Sequence, residues 1–256
     1  MILMPEQRSL HTVKAITGLA FIALSLSLSA CGKKDAASNA SAEPVAAVAA
    51  PAGTSWSGTV TQTPEGGFVM GNPQAKVKLI EYGSYTCSHC RDFSAEASEE
   101  IRKIVDTGKM SFEFRNFVRD PIDISTSLLA RCGGKDVFYP LSEQFFANQN
   151  AMFEKAQSLG DAKYQALMSA PPAQRFGNLA AAVGLIDFAK QRGIAEDKAK
   201  QCLADTAAAE KLAKGVEAAN NQYKIEGTPT FILNDVKIDN VATWATLQPK
   251  LKEAGI

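Results

Sequence analysis

Two cysteines, Cys87 and Cys90, sit three positions apart in the run Tyr85-Thr86-Cys87-Ser88-His89-Cys90 and are the residues of this chain best suited to covalent chemistry. At that spacing two thiols on a helical turn face the same side. They can close a disulfide, or one can attack a mixed disulfide held on the other. Ahead of them Val77, Leu79 and Ile80 read as a short buried strand, which Gly83, Ser84 and Thr86 interrupt. Behind them Phe93, Ala97, Ile101, Ile104 and Val105 recur at three- and four-residue steps, a helical period stopped by Gly108 and Lys109. The pair therefore falls where a strand hands over to the first turn of a helix. Unpaired amide donors and the helix dipole stabilise a thiolate there, so Cys87 is expected to be the exposed, acidic thiol. An imidazolium on His89, between the two sulfurs, would favour thiolate over disulfide and make the disulfide more oxidising.

A structural zinc site uses the same Cys-x-x-Cys spacing but needs four ligands. The only other histidine is His11, and no second Cys-x-x-Cys exists in the chain. The expectation is no metal and a redox pair. The competing reading from another functional class is a copper-delivery lipoprotein that uses Cys87, His89 and Cys90 as ligands.

The stretch from Lys76 to Cys90, together with Gly227-Thr228-Pro229-Thr230-Phe231 far downstream, resembles the DsbA-type thiol:disulfide oxidoreductases of the thioredoxin superfamily. The resemblance runs from about Asn72 to the C-terminus. It implies an α/β protein, a thioredoxin fold with an inserted α-helical domain. It further implies Cys87 as nucleophile, Cys90 as resolving thiol, and Thr228 before a cis Pro229 packed against the disulfide, where the Thr228 backbone can pair with an extended substrate. Pro229 is also compatible with a plain trans proline at a strand start. Glu81, six residues before Cys87, stands where the family carries a buried acid able to move a proton to and from Cys90. Read alone, it is equally an acid at a strand end facing water.

The chain has 256 residues, with 27 acidic and 27 basic side chains, enough length for a large core and no charge bias toward nucleic acid. Residues 1–30 read as an export signal: Arg8 and Lys14 precede the apolar run 15–28, and Leu28-Ser29-Ala30-Cys31 resembles a lipobox. Cys31 is then the lipidated residue, and ordinary cleavage after Ala30 is the alternative. Residues 31–53 are mostly Ala, Ser, Pro and Lys, a flexible tether reaching on the order of 25 Å. The folded part is expected to begin near Trp56, with Phe68 to Met70 as a short edge strand and 110–117 as a second central strand parallel to the first.

From about residue 122 the period turns helical. Candidate helices cover 125–131, 137–147, 161–168, 178–192, 196–206 and 208–223, with Pro171-Pro172 and several glycines as punctuation. This divides the chain into a thioredoxin-like part, 54–121 and 208–256, and a helical insertion, 122–207. Phe145, Phe146, Phe153 and Leu185 in the insertion read as core. A strand from Thr230, a turn at Asn234-Asp235, a second short strand and a terminal helix from Trp244 complete the chain.

Five cysteines are an odd count for an exported protein. With Cys31 lipidated and Cys87 with Cys90 redox-active, Cys132 and Cys202 remain as a structural disulfide, two separate buried thiols being the alternative. The sequence reading is a monomeric, lipid-anchored periplasmic enzyme that oxidises reduced secreted proteins. It uses its own redox-active disulfide and no other cofactor, with no nucleic-acid partner. By resemblance, a DsbB-like membrane quinone reductase reoxidises it. A disulfide isomerase or reductase is the alternative among enzymes.

Overall fold

The computed structural model describes residues 42–256, so the export signal, Cys31 and the first part of the tether lie outside the described residues. A six-stranded sheet carries the Cys-x-x-Cys segment at its centre, in the order β1-β2-β4-β3-β5-β6. Its strands are β1 (Val60–Gln62), β2 (Phe68–Gly71), β3 (Val77–Gly83), β4 (Met110–Asn116), β5 (Thr230–Leu233) and β6 (Val236–Ile238). Strands β3 and β4 run parallel, joined through helix α1 (Ser88–Asp106), with Leu79 opposite Phe112 and Glu81 opposite Phe114. The other pairings are antiparallel. Asn234 and Asp235, both at positive φ (48° and 67°), make the tight turn between β5 and β6, a conformation these short polar side chains tolerate.

Strand β2 is not the edge that its sequence suggested. The three-residue β1 pairs outside it, Val60 opposite Met70. A segment of this length, one residue buried and two exposed, carries too little apolar pattern to announce itself.

Nor does the tether run to Gly53. From Ala42 the chain lies along two helix ends, and Ala42 N and Val45 N donate to the carbonyls of Glu253 and Gly255 after helix α9 (Trp244–Glu253), both at 2.9 Å. Val48 N donates to Thr107 O after α1 at 2.9 Å, and Trp56 Nε1 donates to Val48 O at 2.7 Å. Helix C-termini leave carbonyls without intrahelical partners, and an extended chain is a ready source of donors. Two glycines make the approach possible: a Cβ on Gly108 would stand 2.1 Å from Val48 O, and one on Gly255 2.7 Å from Glu43 O.

Between β4 and β5 lie α2 (Pro121–Cys132), α3 (Phe138–Ala147), α4 (Gln149–Met168), α5 (Pro172–Ala182), α6 (Leu185–Lys190), α7 (Glu196–Ala204) and α8 (Thr206–Tyr223). Several limits differ from the periodicity. Asp120 caps α2 through the amides of Ile122 and Asp123, which starts that helix one turn earlier, with Pro121 in the first position. Pro172 opens α5 rather than breaking the chain, and Gly184 (φ 75°) splits the expected 178–192 helix into α5 and α6. Gly160 (φ 68°) kinks α4, whose second half is the expected 161–168 segment. The insertion shares one hydrophobic core with the sheet: Phe145, Phe146 and Leu185 are buried in the cluster that holds Leu79, Phe112 and Phe114, and Phe153 packs against it.

Cys132, at the end of α2, and Cys202, in α7, form a disulfide with Cα atoms 5.9 Å apart across 70 residues of sequence. By the loop-entropy relation such a link raises stability by about 4 kcal/mol. Replacing both cysteines with serine is expected to lower the unfolding free energy in urea by about that amount. An unchanged midpoint would show that the bridge does not constrain the unfolded chain.

Candidate active site

Strand β3 ends at Gly83, where a Cβ would come within 2.5 Å of the Phe114 ring, so glycine lets the chain pass over β4 and turn. The next three residues are tied down from α2. Asp123, fully buried, accepts from Ser84 Oγ at 2.5 Å, Tyr85 N at 2.9 Å and Arg119 N at 3.1 Å. Thr86 Oγ1 donates to Asp120 Oδ2 at 2.5 Å. The Tyr85 ring fills the core against Phe146 and Phe114, its hydroxyl 2.6 Å from Ser142 Oγ. Burial raises the Asp123 carboxyl to about 7, against the opposing hydrogen bond from Ser84.

Cys87 then takes the cap position of α1 with extended backbone (φ −96°, ψ 121°), and no acidic residue occupies the first turn. Its sulfur is not exposed as expected. Only 4 % of the residue is accessible, because the Thr228-Pro229 peptide, which is cis, covers it, and Sγ donates to Thr228 O at 3.0 Å. The acidic character is nonetheless present: the Cys87 thiol falls from 9.0 to about 5. The thiol of Cys90 donating to its sulfur is the largest cause. Burial opposes it, and the Thr228 hydroxyl and the backbone amides of Cys90 and His89 add further donors. Thr228 Oγ1 is buried with no other hydrogen-bond partner, which leaves its proton free to turn toward a thiolate. Pro229 is buried beside it.

Cys90, wholly inaccessible, behaves oppositely. Burial, its donated hydrogen bond to Cys87 and the nearby negative charges of Glu81 and Cys87 push its thiol well above the usual range. Both cysteines are free thiols in this structure. Glu81 is buried at the level of Phe114 in the sheet, and its carboxyl is raised from 4.5 to about 8, by burial first and by the Cys87 charge second. A cavity of about 30 Å³ adjoins it, bordered also by Ser94, Ser98 and Glu143, with room for a water. His89 is exposed on the first turn, and its backbone amide is among the donors that hold the Cys87 thiol down.

Three polar residues of this site carried no recognised sequence signal. Gln149, fully buried at the start of α4, donates from Nε2 to Tyr85 O at 2.8 Å and to Cys87 O at 2.9 Å, so the insertion clamps the backbone on either side of Thr86. Asp120 and Asp123 hold the same loop from below. Asp120-Pro121 is a helix-start pattern that could have placed α2, and with it Asp123, under the loop. Gln149 has no comparable signature. Among the described residues no three His, Cys, Asp or Glu side chains converge as a metal-ligating group. No helix among them is long and apolar enough to cross a membrane.

Comparison with known proteins agrees with this geometry. A family model described as Thioredoxin matches residues 63–253. The crystal structure of a protein-disulfide isomerase from Novosphingobium aromaticivorans superposes with a TM-score of 0.69 at 34 % identity, covering 72 % of this chain and 94 % of that one. Wolbachia pipientis alpha-DsbA1 shares the fold with a TM-score of 0.58 at 23 % identity, covering 73 % of this chain and 89 % of that one. A putative protein-disulfide oxidoreductase of Rickettsia bellii is 27 % identical over 177 residues, 69 % of this chain and 60 % of the relative, so the chain spans less than two thirds of that protein's length. A sheet with parallel β3 and β4, a Cys-x-x-Cys at the start of α1 facing a Thr-cis-Pro peptide, and a helical insertion before β5 accord with that match: the chain belongs to the thioredoxin family.

Proposed function

We propose that the protein is a thiol:disulfide oxidoreductase that donates its Cys87–Cys90 disulfide to reduced proteins outside the cytoplasm. The observation that carries this reading is the divergence of the two thiols, Cys87 held down to about 5 and Cys90 well above 9.0. A substrate thiolate attacks Cys87 Sγ, the Cys87–Cys90 bond breaks, and Cys90 leaves and takes up a proton. A second substrate thiolate then attacks the substrate sulfur of the mixed disulfide. That releases a substrate disulfide and Cys87 as a thiolate, the substrate losing the two electrons that the protein gains. Low pKa makes Cys87 a good leaving group in the second step. Cys90 is a poor one in the first, and Glu81, protonated at neutral pH, is placed to supply its proton.

The finer assignments rest on the sequence. Residues 1–30 serve as export signal and Cys31 as lipid attachment point, with the catalytic part on the periplasmic side and a tether shortened to residues 31–41. The substrates are reduced secreted proteins, the redox-active disulfide is the only cofactor, and a DsbB-like membrane quinone reductase regenerates it. Isomerase activity is the second reading, favoured by the 34 % identity to the protein-disulfide isomerase of Novosphingobium aromaticivorans.

Stabilising the Cys87 thiolate from 9.0 to about 5 favours the reduced form at pH 7 by about two decades, or about 60 mV in potential. Titration against glutathione, on a chain that keeps residues 42–53, is expected to give a value in the range of protein disulfide isomerase to DsbA, about −180 to −120 mV. A thioredoxin-like value near about −270 mV would overturn the donor assignment and mean a reductase. A donor that also reshuffles scrambled disulfides would be an isomerase.

A further inference from the structure

Where the end of α2, the β1–β2 turn and α8 meet, the structure forms a cleft of about 400 Å³, open to solvent, that shares no lining residue with the Cys87 site. That is within the size range of small-molecule sites. Its charged lining is unbalanced. Arg131, from the last turn of α2, lies over the Phe68 ring at 4.9 Å and donates from Nη1 to Gly66 O at 2.8 Å and Asn116 Oδ1 at 3.1 Å. It has no carboxylate partner among the described residues. A largely buried guanidinium without a counter-ion is costly, and burial holds its pKa down. Lys211 of α8 converges on the same spot: a Cβ on Gly66 would stand 3.7 Å from both Arg131 Nη2 and Lys211 Cε. Lys211 likewise has no ion pair among the described residues.

Arg115 also borders the cavity but is neutralised. Its Nε and Nη2 donate to the Glu113 carboxylate at 2.7 and 3.0 Å, and Nη1 donates to Tyr82 OH at 3.1 Å. The remaining charge in the lining is Glu65, exposed on the β1–β2 turn. Two unpaired cations against one carboxylate leave a single positive charge in excess. The walls beside it are apolar, Phe68 from the sheet and Leu212 from α8. Small residues on α8 keep the space open, and a Cβ at Gly215 would meet nothing within 4 Å.

We propose that this cavity binds a small amphipathic carboxylate, its head on Arg131 and Lys211 beside Gly66 and its apolar body between Phe68 and Leu212. A planar guanidinium with free donors suits a carboxylate, and one excess charge suits a monoanion. The site is independent of the redox chemistry.

The test is calorimetric titration of the full chain with sodium octanoate, with octanol and inorganic phosphate as controls. Octanoate is expected to saturate one site per chain, with octanol and phosphate each weaker by at least about tenfold. Gly215→Leu projects into the space from a position where an added Cβ meets nothing within 4 Å, and it replaces a poor helix former. It is expected to weaken octanoate by at least about tenfold while leaving melting temperature and Cys87 exchange rate undiminished. Lys211→Gln is expected to weaken octanoate and leave octanol unchanged. Absence of saturable octanoate binding up to about 10 mM, equal binding of octanol, or unaltered binding by Gly215→Leu would each overturn the proposal.

Discussion

Iodoacetamide added to the reduced protein is expected to alkylate Cys87 and spare Cys90, with a rate that is half-maximal at about pH 5 and flat from about pH 6.5 to 8.5. The plateau follows from the thiolate fraction, which is complete two units above the Cys87 pKa. Selectivity at pH 6.5 has two sources of unequal weight. An ordinary thiol of pKa 9.0 is about 0.3 % thiolate there, which favours Cys87 by about 300-fold. Nucleophilicity falls with pKa, and four units at a Brønsted coefficient of about 0.4–0.5 remove 40- to 100-fold of that advantage. The thiolate fraction alone therefore leaves a preference of only several-fold. Burial decides the rest, since Cys90 has no accessible surface and Cys87, under the Thr228-Pro229 peptide, has some. Mass spectrometry of the alkylated chain reads this directly. Cys87→Ser is expected to take up no reagent at pH 6.5 and to lose thiol–disulfide exchange altogether, while Cys90→Ser stalls as the mixed disulfide with substrate. Labelling of Cys90 in the native chain, or a half-maximal rate near pH 9, would reverse the roles assigned to the two thiols.

That prediction rests on a part of the protein legible in one dimension. The strand, the interruption at Gly83 to Thr86 and the periodic run after Cys90 place two thiols on a helix N-terminus without any structure, because each signal is local and apolar. Glu81 illustrates the boundary. Its place at the end of a strand is legible, but its burial depends on Phe93 and Phe114 arriving from elsewhere, so only resemblance to a family pointed to it. Gln149 lies beyond the boundary, since a glutamine on a polar-looking helix gives no sign that its amide will hold the carbonyls of Tyr85 and Cys87. Residues 42–53 mislead for the opposite reason. Alanine- and proline-rich sequence has no face to bury, and what holds it is backbone hydrogen bonding to helix ends, which no side-chain pattern records. The burial of Cys87 is not legible locally because the peptide that covers it is 141 residues away in the chain.

Glu81→Gln is expected to slow disulfide exchange by about a hundredfold and yet to raise the stability of the reduced protein at alkaline pH. The two effects have one cause. The unfolded carboxyl titrates near 4.5 and the buried one near 8. Between those values the folded protein holds a proton that the unfolded chain has released, so stability falls as pH rises through the interval and is level above it. The full loss is on the order of 5 kcal/mol, of which burial is the larger share and repulsion from the Cys87 thiolate the smaller. Glutamine never ionises, so the variant escapes the loss. Against native protein it is expected to unfold at similar urea concentration near pH 4.5 and at markedly higher concentration above pH 8. Asp123, also raised, to about 7, contributes a slope of the same sign in both proteins and cancels in the difference. The rate falls because the departing Cys90 sulfur, a weak acid with no accessible surface, must receive its proton within the protein. The protonated Glu81 carboxyl, with a water-sized cavity behind it toward Ser94, Ser98 and Glu143, is the group placed to deliver it. Stopped-flow exchange and urea denaturation on the same two proteins separate the outcomes. An unchanged rate would remove Glu81 from the proton path, and an unchanged stability difference between pH 4.5 and 8.5 would mean that its carboxyl is not held neutral in the folded chain.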